Sequence, residues 1–190
     1  MARSPIIIFD ACVIYQSSLR DLLMELALGG LFRAKWTQDI HGEWMRNLLK
    51  NRPDLTQKQV ENTQNVMNRS IPDCLVDGYE PIIETIHLPD QDDRHVLAAA
   101  IRVKADTILT YNLKDFPKSI LDPYNIEAQH PDDLLQSLIE KAPPKFYAAV
   151  RTVQARLKKP PLCMDEYLDN LERQSLPQTV ALLRESSLVI

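Results

Sequence analysis

The most constraining feature of the sequence is an apolar run near its beginning, Pro5-Ile6-Ile7-Ile8-Phe9, which ends at Asp10. Consecutive β-branched residues favour a strand, and a strand without polar side chains on either face must be covered on both. Parallel sheets are covered in this way by helices, whereas antiparallel sheets usually leave one face in water. The run therefore predicts a central strand of a parallel sheet.

Further strand and helix signals alternate along the chain. Strand signals occur at residues 31–36, 107–110 and 125–128, with weaker ones at 74–76 and 83–88. Helical patterns occupy residues 19–28, 94–104 and 131–141, and two more helices begin near Thr37 and Thr56. This alternation is typical of βαβ units, so we predict an α/β fold with a doubly wound, mostly parallel sheet and helices on both faces.

The pattern changes after residue 141. Pro143-Pro144 and Pro160-Pro161 bracket a helical segment, and no strand signal follows them. We therefore predict two regions, an α/β domain over residues 1–141 and a helical C-terminal extension over residues 142–190.

Composition limits the class of protein. The chain has 190 residues, 45% of them hydrophobic and 25% charged, which is a globular balance. A net charge of −4 argues against a protein that coats DNA, and three widely spaced cysteines argue against a disulfide framework. Because no apolar run approaches the roughly 20 residues that span a bilayer, and the N-terminus lacks a secretory pattern, we expect a cytoplasmic protein without membrane contact.

Acidic side chains recur where the strands of the predicted sheet end. Asp10 follows the first strand, and Asn112 and Asp115 follow the strand that ends at Thr110. The pair Asp92-Asp93 begins the helix that leads into that strand, and Glu43 lies early in the helix after residue 37. Ligands of doubly wound sheets bind at this edge, so these side chains are candidates for one site.

Each of these residues also has an ordinary structural explanation. An aspartate at a strand end or helix start often only caps the helix, and a helical glutamate is usually solvated. The conjunction is more informative, because carboxylates that share a cleft repel each other unless a cation compensates. A cluster of oxygen ligands suits a hard ion such as Mg²⁺ or Mn²⁺.

Other chemistries find less support. The chain has four glycines and neither of the glycine-rich loops that cradle nucleotide phosphates, and no Ser-His-Asp arrangement is apparent. The histidines lack metal-binding spacing, and we interpret His95 as a packing or surface residue. Phe9-Asp10-Ala11-Cys12 is similar to the Asp-x-Asp of aspartyl-phosphate phosphatases, but Cys12 replaces the second aspartate.

Three segments resemble the ordered motifs of PIN-domain ribonucleases, most closely those of the VapC-type toxins of toxin–antitoxin pairs. They are Phe9-Asp10-Ala11-Cys12-Val13-Ile14-Tyr15, Asp93-Arg94-His95-Val96-Leu97-Ala98-Ala99-Ala100 and Thr110-Tyr111-Asn112-Leu113-Lys114-Asp115-Phe116, with Glu43 between the first two. The resemblance covers about residues 5–135, and it implies a PIN-like fold. The helical extension is similar to that of a subgroup of the family.

The resemblance implies an endoribonuclease that depends on Mg²⁺ or Mn²⁺ and hydrolyses RNA phosphodiester bonds. Its acidic, metal-binding set would be Asp10, Glu43, Asp93 and Asp115. Asn112 stands where many members carry aspartate, so it would support catalysis by binding or orienting water. Asp92 is the second choice to Asp93. The resemblance also implies an antitoxin partner and a homodimer.

A basic patch in the extension is a candidate contact for RNA. Between residues 141 and 159 there is no acidic residue, and the candidate RNA-binding residues are Lys145, Arg151, Arg156, Lys158 and Lys159. Such a patch attracts phosphates, although it also fits a solvated helix face or a surface for an acidic partner.

Two alternatives to the ribonuclease interpretation stay open. A non-catalytic PIN-like module would bind RNA or protein without turnover and without a need for Mg²⁺. A phosphatase acting through Asp10 would form a phospho-enzyme, and Cys12 counts against it.

Overall fold

A computed structural model of the protein describes residues 3–158 and 161–186. Its strands are β1 (Ile6–Phe9), β2 (Arg33–Lys35), β3 (Thr107–Leu109) and β4 (Glu127–Gln129). The helices before β4 are α1 (Ala11–Tyr15), α2 (Ser17–Leu28), α3 (Gln38–Asn51), α4 (Gln57–Ser70), α5 (Glu80–Ile83), α6 (Arg94–Val103) and α7 (Lys118–Leu121). The helices after it are α8 (Pro131–Lys141), α9 (Pro143–Arg156), α10 (Met164–Arg173) and α11 (Pro177–Glu185).

The four strands form one parallel sheet in the order β2-β1-β3-β4. β1 is central, and its residues Ile6–Phe9 are all buried. The chain moves to one side of β1 to form β2 and then crosses to the other side to form β3, so the order reverses between β1 and β3. This reversal is the position where doubly wound sheets bind ligands. The predicted α/β fold with a parallel sheet is confirmed.

Local sequence determines where the helices around the site begin. The Thr37 side chain accepts a hydrogen bond from the backbone N–H of Ile40 at 3.1 Å and so caps α3, the helix that carries Glu43. Thr56 and Gln59 form a capping box at the start of α4. Helix α6 packs on both β1 and β3, and its buried alanines allow close contact with the sheet.

One predicted strand is wrong. Residues 83–88 form no strand; instead α5 ends at Ile83 and a turn follows. Ile86 and Leu88 are nevertheless buried. The apolar pattern therefore predicted which side chains are buried, but the backbone that buries them is irregular. At residues 74–76 the predicted strand is reduced to a single parallel bridge between Leu75 and Trp36.

The C-terminal helices share the core of the sheet region. Helices α9 and α10 pack against α2, and α11 packs against α8 and α10. Phe146, Tyr167 and Leu176 are fully buried in the same hydrophobic cluster as β1. No helix among residues 3–158 and 161–186 combines the length and apolar character required to cross a membrane. The division of the chain at residue 141 stays a prediction.

A buried carboxylate fixes the last helix to α8. Asp132, which is 3% exposed, accepts hydrogen bonds from the backbone N–H groups of Gln178 and Thr179 at 3.0 and 2.8 Å. The Thr179 hydroxyl also donates to it, at 2.6 Å. Asp132 thus satisfies the first N–H groups of α11 and places a negative charge at the positive end of that helix.

We expect Asp132→Ala to lower the free energy of unfolding by about 3 kcal/mol, because it leaves buried N–H groups of α11 without an acceptor. The matched control is Asp133→Ala, which removes the exposed neighbouring aspartate from the same helical turn. Urea unfolding measures both. Equal losses of stability in the two variants would contradict this role of Asp132.

Candidate active site

A cleft of about 530 Å³ opens where the carboxyl ends of β1 and β3 meet. Three of the residues that line it are acidic and come from separate elements: Asp10, Glu43 and Asp93. The side chains of Gln16, Asn47 and Asn51 add amide groups, and residues 173–175 of the C-terminal region form part of its wall. The cleft therefore combines negative charge with hydrogen-bonding groups at the expected edge of the sheet.

The carboxylate of Asp10 is fixed by two donors. The Thr110 hydroxyl donates to its Oδ2 at 2.6 Å, and the Cys12 thiol donates to the same oxygen at 3.1 Å. The Asp10 backbone N–H donates to the carbonyl of Leu109 at 3.0 Å, which continues the β1–β3 pairing. Asp10 makes no side-chain hydrogen bond as the N-cap of α1, so capping does not account for it.

The charged form of Asp10 is disfavoured by its surroundings. Burial raises the pKa of this carboxyl above its usual range, and the negative charge of Glu43 raises it further. The hydrogen bonds from Thr110 and Cys12 act in the opposite direction without cancelling the effect of burial. A positive charge in the cleft would reverse this balance and favour the ionised carboxylate.

The pKa of Asp93 is also raised by its surroundings. Asp93 occupies the N-cap position of α6 but makes no side-chain cap hydrogen bond. Burial raises its pKa to about 7, and the nearby negative charges of Asp10, Asp90, Asp115 and Glu43 contribute to the shift. Asp93 is thus a partly buried carboxyl among like charges, an environment that is common at functional sites.

Glu43 is paired with a histidine across the cleft wall. His95 Nε2 lies 3.5 Å from Glu43 Oε2, which joins α6 to α3. Burial lowers the pKa of His95, but the hydrogen bond and negative charge of Glu43 outweigh burial and raise it overall. The other ring nitrogen, Nδ1, is buried and has no hydrogen-bond partner among the described residues. The pair fixes the orientation of the Glu43 carboxylate.

The two remaining predicted residues lie outside the centre of the cleft. Asp115 is half-buried in a 3₁₀ turn, Leu113–Asp115, and is close enough for its charge to raise the pKa of Asp93. Asn112 is exposed, and its backbone N–H donates to the Thr110 hydroxyl oxygen at 3.0 Å. Neither is among the described residues that line the cleft. The structure thus brings Asp10, Glu43 and Asp93 together, with Asp115 at the margin.

The donor chemistry of the cleft fits a divalent cation. Carboxylate oxygens are the ligands that Mg²⁺ and Mn²⁺ prefer, and a cation would offset the burial and the like charges that raise the pKa values of Asp10 and Asp93. Within residues 3–158 and 161–186, no three His, Cys, Asp or Glu side chains are arranged as a metal-binding group. The carboxylates would therefore have to draw closer to share one ion.

The predicted basic patch is partly engaged within the protein. Lys145 donates to the carbonyl of Gly29 at 3.2 Å, and Arg156 forms an ion pair with Glu25 at 2.6 Å, so both contact the α2 end of the molecule. Arg151 and Lys158 have exposed side chains, whereas Lys159 lies outside the described residues. No described member of the patch lines the acidic cleft. Contact with RNA by this patch stays a prediction.

Several residues of the cleft were not predicted from the sequence. Thr110 and Cys12 belong to the quoted motifs, but their hydrogen bonds to Asp10 depend on the pairing of β1 with β3. The pairing of His95 with Glu43 depends on the packing of helices distant in sequence. Residues 173–175 carry no local signal of a site.

Comparison with known proteins identifies similarity in two parts of the chain. Residues 6–114 match the PIN domain family, and residues 131–185 match the VapC50 C-terminal domain. A protein of Mycobacterium tuberculosis named "Putative ribonuclease VapC50" is 38% identical over 107 residues, which cover 56% of this chain. The match spans 62% of the length of that relative. No solved structure matches the chain significantly.

The two family matches map onto the parts of the cleft. The PIN match begins at β1 and contains Asp10, Glu43 and Asp93, and the second match contains the wall formed by residues 173–175. The first covers more than half of the chain and the parallel sheet strands β1, β2 and β3. The chain therefore belongs to the PIN domain family, and its C-terminal region matches the VapC50 C-terminal domain.

Proposed function

We propose that the protein is a metal-dependent endoribonuclease, active in the cytoplasm as the toxin of a toxin–antitoxin pair. The observation that carries this proposal is the convergence of Asp10, Glu43 and Asp93 from three separate elements in one cleft at the switch point of the sheet. Three mutually repelling carboxylates are costly for a fold to maintain unless they serve a ligand. RNA is the substrate of the proposal, and an antitoxin and a second copy of the chain are its partners.

The cation would be held by Asp10, Glu43, Asp93 and Asp115. The chemistry that Mg²⁺ or Mn²⁺ supplies at such a site is Lewis-acid activation of water and stabilisation of the charge that develops on a phosphodiester. Asp115 lies at the margin of the cleft, so its turn, Leu113–Asp115, would have to move toward the other carboxylates for Asp115 to bind the same ion. Asn112, exposed beside it, would orient water through its amide.

The residues around the carboxylates would keep them in place for this reaction. Thr110 and Cys12 hold the Asp10 carboxylate, and His95 holds that of Glu43. Such partners of ligating groups orient them and increase their affinity for metal. The relative whose name includes "ribonuclease" supports the activity, whereas the toxin role, the antitoxin and the homodimer rest on the family resemblance.

We expect Asp10→Asn and Asp93→Asn each to reduce RNA cleavage in Mg²⁺ by at least about 100-fold, because the loss of a metal ligand should cost no less than the loss of a group that only orients one. Both variants should fold, because a neutral amide removes repulsion from the cleft. Cleavage of a labelled RNA panel by purified, partner-free protein measures the effect, and circular dichroism checks the fold.

The matched control is Asp92→Asn, which removes an exposed carboxylate directly beside Asp93 and outside the cleft lining. This variant should cleave RNA at the wild-type rate. If Asp93→Asn cleaves as well as Asp92→Asn does, Asp93 has no part in the reaction. RNA binding without turnover by the wild type would favour the non-catalytic module instead.

We also expect Mn²⁺ to stabilise the wild-type protein against heat. A ligand at 100 times its Kd stabilises the native state by about 2.7 kcal/mol, and this gain should be lost on addition of EDTA. The physical reason is that the ion offsets both the burial and the repulsion that disfavour the charged forms of Asp10 and Asp93 and raise their pKa values. Scanning calorimetry with and without Mn²⁺ measures the shift in Tm.

The same measurement on Asp93→Asn locates the ion. The variant should gain much less from Mn²⁺ than the wild type, while Asp92→Asn should gain as much. An equal gain in Asp93→Asn would mean that the ion binds elsewhere and would contradict a metal site in the acidic cleft.

A further inference from the structure

The wall of the acidic cleft includes a segment of the C-terminal region that is far from the acids in sequence. Arg173, Gln174 and Ser175 line the cleft together with Asp10, Glu43 and Asp93. Arg173 is the last residue of α10, and Gln174 and Ser175 follow it directly. The helical extension is therefore part of the cleft, and the role of this segment is not explained by the acids.

Two hydrogen bonds hold this segment at the cleft. The side-chain oxygen of Gln174 accepts from the backbone N–H of Leu19 at 2.9 Å, which ties it to the first turn of α2. The backbone carbonyl of Gln174 accepts from the Tyr111 hydroxyl at 2.7 Å. Burial raises the pKa of Tyr111 far above neutral, so its hydroxyl stays protonated as a donor. Leu176, two residues after Gln174, is fully buried and holds this segment against the core.

Tyr111 connects the wall to the acids. It follows Thr110, whose hydroxyl donates to Asp10, and its own backbone N–H donates to the Cys12 sulfur at 3.4 Å. The ring of Tyr111 packs edge-on against His130, just before α8, with centroids 5.0 Å apart. A single turn after β3 thus positions both Asp10 and the segment that carries Arg173.

Arg173 is the one cation among the described residues that line the cleft. Its guanidinium donates a hydrogen bond to Asn170, and within residues 3–158 and 161–186 it forms no ion pair. Two other arginines of the C-terminal region are neutralised, Arg156 by Glu25, and Arg184 by Asp169 and Glu172. Arg173 is an exposed guanidinium without an ion pair among the described residues, and it lines the same cleft as three carboxylates, so it is available to a polyanion that enters the cleft.

We propose that Arg173 binds a backbone phosphate of the RNA strand, so that the C-terminal region supplies the substrate-binding side of the cleft and the PIN domain supplies the acids. The proposal rests on the proposed ribonuclease function and assigns a substrate-binding residue to it. An acidic cleft repels RNA, and guanidinium groups bind phosphates through paired, charge-assisted hydrogen bonds. Gln174 is a positioning residue, because it acts by holding Arg173 at the wall.

The test is RNA binding by the full chain in EDTA, where no cleavage occurs. A fluorescent single-stranded RNA of mixed sequence is titrated with wild type, Arg173→Gln, Arg173→Lys and Arg184→Gln at several salt concentrations. Arg173→Gln should weaken binding about tenfold, the cost of one charge-assisted contact. It should also reduce the slope of log K against log salt by about 0.7, the value for one phosphate of a single strand.

The two other variants separate binding from folding. Arg173→Lys keeps the charge and should recover part of the affinity and the full salt slope, which a purely structural role of Arg173 would not produce. Arg184→Gln removes an arginine from the same region, on α11 and away from the cleft lining, and should bind as the wild type does.

Cleavage kinetics in Mn²⁺ separate this proposal from the proposed function. At subsaturating RNA, Arg173→Gln should cleave about tenfold more slowly through a higher KM, with kcat nearly unchanged. If the wild type cleaves RNA and Arg173→Gln matches it in affinity, salt slope and KM, the assignment of Arg173 is wrong while the ribonuclease function stands. If the wild type binds RNA through Arg173 but never cleaves it, the ribonuclease function fails and the binding role of Arg173 stands. A wild type that neither binds nor cleaves RNA overturns both.

Discussion

The hydrogen bond from the Thr110 hydroxyl to the Asp10 carboxylate joins the carboxyl ends of β1 and β3 at the point where the strand order reverses. It exists only because the parallel pairing of β1 with β3 brings Phe9 opposite Leu109, so that the next residue of each strand meets the other. The same Thr110 oxygen accepts from the Asn112 backbone, and Tyr111 holds the C-terminal wall. The turn after β3 therefore connects the Asp10 carboxylate to the C-terminal wall of the cleft.

The cleft is an arrangement that folding alone would not favour. Burial and like charges act together on Asp10 and Asp93. Hydrogen-bond donors compensate Asp10, and His95 pairs with Glu43, but no ion pair among the described residues compensates Asp93. This partial compensation leaves room for an external positive charge. The surrounding core is, by contrast, conventional, with β1 and the alanines of α6 buried. The stability of the sheet and helices offsets the unfavourable burial and repulsion of the carboxylates at the edge of the sheet.

The sequence was sufficient for the parallel sheet because its strongest signals, the apolar run of β1 and the alanine-rich α6, act locally. The positions of Glu43 and Asp93 were likewise predictable, since the N-terminal halves of helices in βαβ units lie near a known edge of the sheet. The predicted strand at residues 83–88 failed because burial of Ile86 and Leu88 does not require a strand backbone. Arg173 and the His95–Glu43 pair were beyond prediction, because only tertiary packing brings α10 to the cleft and α6 to α3. The basic patch was conspicuous in sequence, but no described member of it lines the cleft.

The most direct test of the central claim, that the acidic cleft is a metal-dependent nuclease centre, is the metal dependence of cleavage itself. Purified, antitoxin-free protein would be incubated with a panel of structured and single-stranded RNAs in Mg²⁺, in Mn²⁺ and in EDTA. The account predicts discrete internal cleavage in the presence of either ion and none in EDTA, with activity restored when the ion is returned. Cleavage that continues undiminished in EDTA would contradict it.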